Sequence, residues 1–114
     1  MEDLTRAIRD FRDERNWAQF HKPKDLMLSL ALEAAEVLEL AQWKNDEEVE
    51  AFCAQPENRE VLADECADVL AYLLLLADRA RIDLAAAFMR KMAKNAEKYP
   101  VEKSYGRKDK YTQI

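Results

Sequence analysis

One glycine in 114 residues, Gly106, together with three prolines, leaves this chain almost no means of turning sharply. A multi-strand β fold needs tight turns at short intervals, and those turns draw on Gly, Asn-Gly and Pro. Long helices with few breaks are what remains, so the expected class is all-α. The balance of residues agrees: 49% are hydrophobic and 36% charged, as amphipathic helices require. The length suits a single domain, 1–114, with enough residues for a core but few to spare.

The breaks order the chain. Spacing predicts a first helix from about Asp3 to Asn16, with Leu4, Ala7, Ile8 and Phe11 on one face. Trp17–Lys24 reads as a loop, and Pro23 is suited to a helix start. A second helix runs from about Asp25 to Trp43. Asn45 and Asp46 cap a short third, about Glu47–Gln55, which Pro56 ends. A fourth spans about Asn58–Arg81, roughly 36 Å at 1.5 Å per residue. Ile82–Asp83 is a break, a fifth helix covers about Leu84–Lys98, and the tail from about 101 to 114 is expected to be irregular. Val69 to Ala77 is apolar all the way round its helix and must be buried on every side. A lone domain of this size covers such a helix poorly. The expectation is therefore a bundle of four to five helices packed across a homo-oligomer interface at or near this segment.

Charge narrows the partners. A net charge of −5 disfavours a general nucleic-acid binder, although divalent metal can bridge an acidic protein to a polyanionic ligand. The Val69–Ala77 run is too short to span a bilayer. Met1 is followed by Glu2 and Asp3, which is not the pattern of a signal peptide. Cys53 and Cys66 match neither a disulfide framework nor zinc-ligand spacing and are read as reduced core thiols of a cytoplasmic protein.

The chemistry-bearing feature is a double acidic pair. Glu33-Ala34-Ala35-Glu36 lies on the second helix and Glu65-Cys66-Ala67-Asp68 on the fourth. Spacing i, i+3 puts both carboxylates of a pair on one side of their helix. If the helices are antiparallel neighbours, four carboxylates converge, an oxygen-only set suited to Mg²⁺ or Mn²⁺. The plain alternative is a solvated stripe. Against it, no Lys or Arg interrupts either helix between Asp25 and Trp43 or between Glu60 and Asp78. Other chemistries lack parts: the lone histidine, His21, excludes Glu-x-x-His di-iron pairs and a His-activated nucleophile, and Gly106 alone makes no phosphate loop.

Around these pairs the sequence resembles the MazG-like all-α nucleotide pyrophosphohydrolases, and within them the dCTP pyrophosphatase branch. The resemblance includes Arg12-Asp13-Glu14-Arg15-Asn16-Trp17-Ala18-Gln19-Phe20-His21 and Leu38-Glu39-Leu40-Ala41-Gln42-Trp43-Lys44. It continues through Asp68-Val69-Leu70-Ala71-Tyr72-Leu73, Lys98-Tyr99-Pro100-Val101 and Lys110-Tyr111-Thr112. Where close relatives often carry a more Gly-rich stretch, this chain has Ala34-Ala35.

The resemblance implies a helical bundle working as a dimer or a dimer of dimers, with a tetramer expected. It implies Mg²⁺ held by Glu33, Glu36, Glu65 and Asp68. Trp17 and Trp43 would help form a base pocket, while Tyr72, Lys91, Asn95 and Tyr99 would contact sugar, base or phosphate. From the residues alone, the two tryptophans read equally as core or interface anchors, and Lys91 and Asn95 as a solvated i, i+4 pair. The implied reaction converts a deoxynucleoside triphosphate to monophosphate and pyrophosphate, with Glu36 or Glu33 orienting or deprotonating the attacking water. The favoured substrate is dCTP, with dATP or a modified dCTP as alternatives. Competing readings are a relative acting on dUTP or a phosphoribosyl-ATP-like compound, and a non-catalytic helical interaction protein.

Overall fold

The computed structural model describes residues 1–108. Among the described residues six helices succeed one another: α1 Glu2–Glu14, α2 Pro23–Glu39, α3 Asp46–Ala54, α4 Pro56–Arg79, α5 Leu84–Lys98 and α6 Val101–Ser104. A single 3-10 turn, Ala18–Phe20, lies between α1 and α2. The described residues contain no strand.

Local chemistry explains most helix ends. At α3, Asn45 Oδ1 accepts the Glu48 N–H at 2.9 Å, and the Glu48 carboxylate accepts the Asn45 N–H at 3.2 Å. This reciprocal box satisfies two donors that helix geometry leaves open. Asp83 caps α5 by accepting the Ala86 N–H at 3.1 Å. Pro23 and Pro56 stand in the first turns of α2 and α4, where a missing N–H costs nothing. Pro56 thus both ends α3 and begins α4, with Gln55 as the cap between them, so α4 starts earlier than the expected Asn58.

Two segments differ from the sequence expectation. The second helix stops at Glu39 rather than at Trp43. Leu40, Ala41 and Gln42 donate to the carbonyls three residues back, which tightens the chain out of α geometry, and Trp43 then takes a left-handed φ of 65°. In the tail, Val101–Ser104 forms a short helix where irregular chain was expected. The Pro100 carbonyl accepts the N–H groups of Lys103 and Ser104 at 3.0 and 2.9 Å, which closes that turn. The part of the tail from residue 109 lies outside the described residues.

The backbone forms two compact units, Met1–Arg81 and the segment from Ile82 onward. In the first, α4 is central, packing on α1, α2 and α3, with α2 its most extensive neighbour. Leu26 of α2 is buried, as are Leu74, Leu75 and Ala77 of α4. Burying a leucine side chain stabilises by about 1.5–3 kcal/mol, so these positions contribute to the core in which α4 packs on its neighbours. The apolar run of α4 is accordingly covered on several sides, its other members being half-buried. Not everything apolar is covered: Met27, Leu28, Leu32 and Leu38 of α2 are exposed. In the second unit, Leu84 and Ala87 are half-buried while Phe88, Met89 and Met92 are exposed. No described helix is long and apolar enough to cross a membrane.

Candidate metal centre and adjoining cavity

Packing of α2 on α4 brings the two acidic pairs to the same place. Glu33, Glu36 and Glu65 each present a carboxylate oxygen, and these atoms lie within 4.8 Å of one another. The Oε2 atoms of Glu33 and Glu65 are closed off from solvent and have no hydrogen-bond partner. A buried anionic oxygen without a donor is costly, a cost that a cation or a proton would relieve. Both groups titrate above the ordinary carboxylate range. Desolvation is the largest cause, followed by Glu36 as a hydrogen-bond neighbour and as a charge, and then by Asp68. Three converging carboxylates form a hard, oxygen-only donor set, which fits Mg²⁺ or Mn²⁺.

Asp68 stands outside that triad of oxygens but close by. Its charge acts on both Glu33 and Glu65, and it faces an adjoining cavity. Glu39, one turn beyond Glu36, adds a further negative charge that acts on Glu65.

The cavity, of about 480 Å³, lies between α1 and α4. Its wall is mostly apolar, with Leu4, Ile8 and Phe11 from α1 and Leu70, Leu74 and Leu75 from α4. Polar groups enter at Arg12, Trp17, His21, Asp68 and Tyr72. A large apolar pocket with a few polar groups is the form of a small-molecule site. Trp17 meets Phe11 edge to face, with ring centroids 5.8 Å apart and planes at 73°. The Arg15 guanidinium covers the Phe11 ring at 3.7 Å, so this aromatic corner is braced from behind. Burial, and then the charge of Arg12, lower the pKa of His21, leaving its ring neutral near pH 7.

The remaining candidate residues belong to other elements. Trp43, in the left-handed turn after α2, is 92% exposed and does not line the cavity. Lys91 and Asn95 occupy successive turns of α5, the first exposed and the second half-buried. Tyr99 caps the same helix, its N–H donating to the Asn95 carbonyl at 2.9 Å. Sequence reasoning passed over Arg12 and set His21 aside, yet both line the cavity. For Arg12 a signal existed: it falls four residues after Ile8, on the apolar stripe of its helix, where a charge needs a partner.

Fold and site together define the class, and the chain belongs to the MazG-like family, whose sequence profile matches residues 28–114. Among individual proteins, it is 44% identical to dCTP pyrophosphatase 1 of Rattus norvegicus over 114 residues, all of this chain and 67% of that protein. It is 41% identical to dCTP pyrophosphatase 1 of Homo sapiens, again over the whole chain and 67% of the relative. Among solved structures, it is similar to a pyrophosphatase from Archaeoglobus fulgidus, with a TM-score of 0.78 and 45% identity. That match covers 88% of this chain and 92% of the other.

Proposed function

We propose that this chain hydrolyses a deoxynucleoside triphosphate, dCTP before dATP or a modified dCTP, to the monophosphate and pyrophosphate. It is a nucleotide pyrophosphohydrolase, as the dCTP pyrophosphatase 1 relatives and the archaeal pyrophosphatase support. The observation that carries the reading is the convergence of Glu33, Glu36 and Glu65, two of them with buried, unpartnered oxygens, beside a cavity that Asp68 borders.

In this reading Glu33, Glu36, Glu65 and Asp68 hold Mg²⁺, for which Mn²⁺ can substitute. The bound cation offsets phosphate charge and lowers the pKa of water. Glu36, the exposed member of the triad, orients the attacking water or takes its proton on a carboxylate oxygen, with Glu33 the second candidate. Trp17 and Tyr72 hold the base and sugar against the apolar wall of the cavity and exclude water from it. Trp43 adds a stacking surface. Lys91, Asn95 and Tyr99 contact the phosphates and sugar. The charge pattern supports that role for α5, which carries Arg90, Lys91, Lys94 and Lys98 against Glu97.

The exposed apolar side chains of α2, Met27, Leu28, Leu32 and Leu38, support association with further copies of the chain, as a tetramer built from two dimers with α4 at or near an interface. Cys53 is half-buried and Cys66 exposed, so neither is the expected core thiol, and as free thiols both suit the cytoplasm. The test is pyrophosphate release from each of the four deoxynucleoside triphosphates, with Mg²⁺ and with EDTA. Metal-dependent release that is highest with dCTP supports the reading. No release from any of them overturns it.

A further inference from the structure

Arg12 occupies the cavity side of α1, in line with Leu4, Ile8 and Phe11. Its side chain is only 14% exposed, an uncommon place for a permanent charge. Two carboxylates hold it there. Nε donates to Asp13 Oδ1 at 2.8 Å, and Nη1 donates to Asp78 Oδ2, on α4, at 3.4 Å. The other oxygen of Asp78 lies 3.5 Å from Arg9 Nη1, so two guanidinium groups one turn apart on α1 grip one carboxylate of α4.

The backbone of the same residue anchors the turn that leaves α1. The Arg12 carbonyl accepts the N–H groups of Arg15 at 3.2 Å and of Trp17 at 3.0 Å, with Asn16 turned into the left-handed region between them. Trp17 is thereby set edge-on to Phe11 at the cavity wall. A continuous line of contacts leads from α4 through Asp78 and Arg12 to Trp17. Asp68, which borders the cavity beside the carboxylate triad, is on that same α4. The distance between the aromatic wall and the metal centre therefore depends on how α1 is seated on α4.

We propose that Arg12 is a positioning residue, which through Asp78 fixes Trp17 and the α1 wall of the cavity relative to α4 and so sets how tightly the nucleotide is held. The proposal rests on the reading that this cavity receives the nucleotide. It assigns Arg12 no contact with the bond that breaks, so loss of the tether acts on binding and leaves chemistry alone.

The test compares Arg12→Gln and Asp78→Asn with the unaltered protein in steady-state dCTP hydrolysis. Trp17 emission is read separately, in a Trp43→Phe background. Each variant should raise KM about tenfold, the scale of one lost charged hydrogen bond, with kcat within about twofold. Trp17 emission should shift to the red and become more accessible to acrylamide. Arg12→Lys, which keeps a donor within reach of Asp78, should recover part of both effects. Unchanged KM and unchanged Trp17 emission in both variants would overturn the proposal, as would a fall in kcat at constant KM. If Arg12→Gln fails to fold, Asp78→Asn, nearly identical in size and shape to the original, decides. If the unaltered protein turns over none of the four deoxynucleoside triphosphates, the functional reading fails on its own, and Trp17 emission still decides whether the tether positions this wall.

Discussion

Glu33 on α2 and Glu65 on α4 each carry an Oε2 atom that neither solvent nor a hydrogen-bond donor reaches, and both carboxylates crowd against Glu36. The helix pair holds these like charges together through the burial of Leu26, Leu74 and Leu75. Apolar packing thus sustains an electrostatic arrangement that a cation would relieve.

Chelation is the direct consequence. Mg²⁺ should raise the melting temperature of the EDTA-treated protein, by an amount that grows with concentration and reaches about 2.7 kcal/mol of stabilisation at a hundred times Kd. Glu33→Gln and Glu65→Gln should blunt that response. Thermal denaturation at graded Mg²⁺ reads it, and an unresponsive midpoint would remove the metal centre.

Glu36→Gln keeps the size and shape of the side chain and removes its basicity. Turnover should fall by at least about a hundredfold, the scale of a lost general base, with the helical circular dichroism unchanged. Full activity in this variant would take Glu36 out of the mechanism.

Stability should depend on pH in a direction set by the same cluster. Glu33 and Glu65 titrate above their ordinary value of 4.5 in the folded protein, chiefly through desolvation. A group of this kind binds its proton more tightly folded than unfolded. Its contribution is complete below the ordinary value and is lost as pH rises through the raised one. Asp13, held below its ordinary 3.8 first by its hydrogen bond to Arg12, acts in the opposite sense, but only at lower pH. The metal-free protein should therefore melt at lower temperatures as pH climbs above the ordinary Glu range, and saturating Mg²⁺ should flatten that slope. Burial lowers the His21 pKa from its ordinary 6.5, which works in the opposite sense below that value. The midpoint is therefore read against a Glu33→Gln, Glu65→Gln variant, and a metal-free slope no different from that variant's would contradict the prediction.

Trp43 and Leu26 should separate function from stability. Trp43 is 92% exposed, so Trp43→Ala should leave the denaturation midpoint nearly unchanged while raising KM about tenfold through lost stacking. Leu26, at 1% exposure, is the most deeply buried side chain described. Leu26→Ala should cost about 2–5 kcal/mol, measurable by urea unfolding. A Trp43→Ala variant with unaltered KM would remove that residue from the binding site.

The helical class, the order of the helices and their starts at Pro23 and Asn45 were legible in the sequence, because caps, prolines and the lack of glycine act over a few residues. The acidic pairs were legible too, since i, i+3 spacing is a property of one helix. The end of the second helix was not. Neither caps nor composition distinguishes the bonds to the third residue back at Leu40, Ala41 and Gln42 from continued helix, so the left-handed turn at Trp43 went unforeseen.

What the sequence determined by itself was therefore local: which residues are helical, which faces are apolar, and which carboxylates share a side. Tertiary structure alone decided which oxygens of those carboxylates converge, that Asp68 borders the cavity beside them, and that Asp78 is gripped by Arg9 and Arg12. The physical reason is distance along the chain. Arg12 and Asp78 are 66 residues apart, and no short-range pattern encodes a contact that exists only once two helices have buried their shared face.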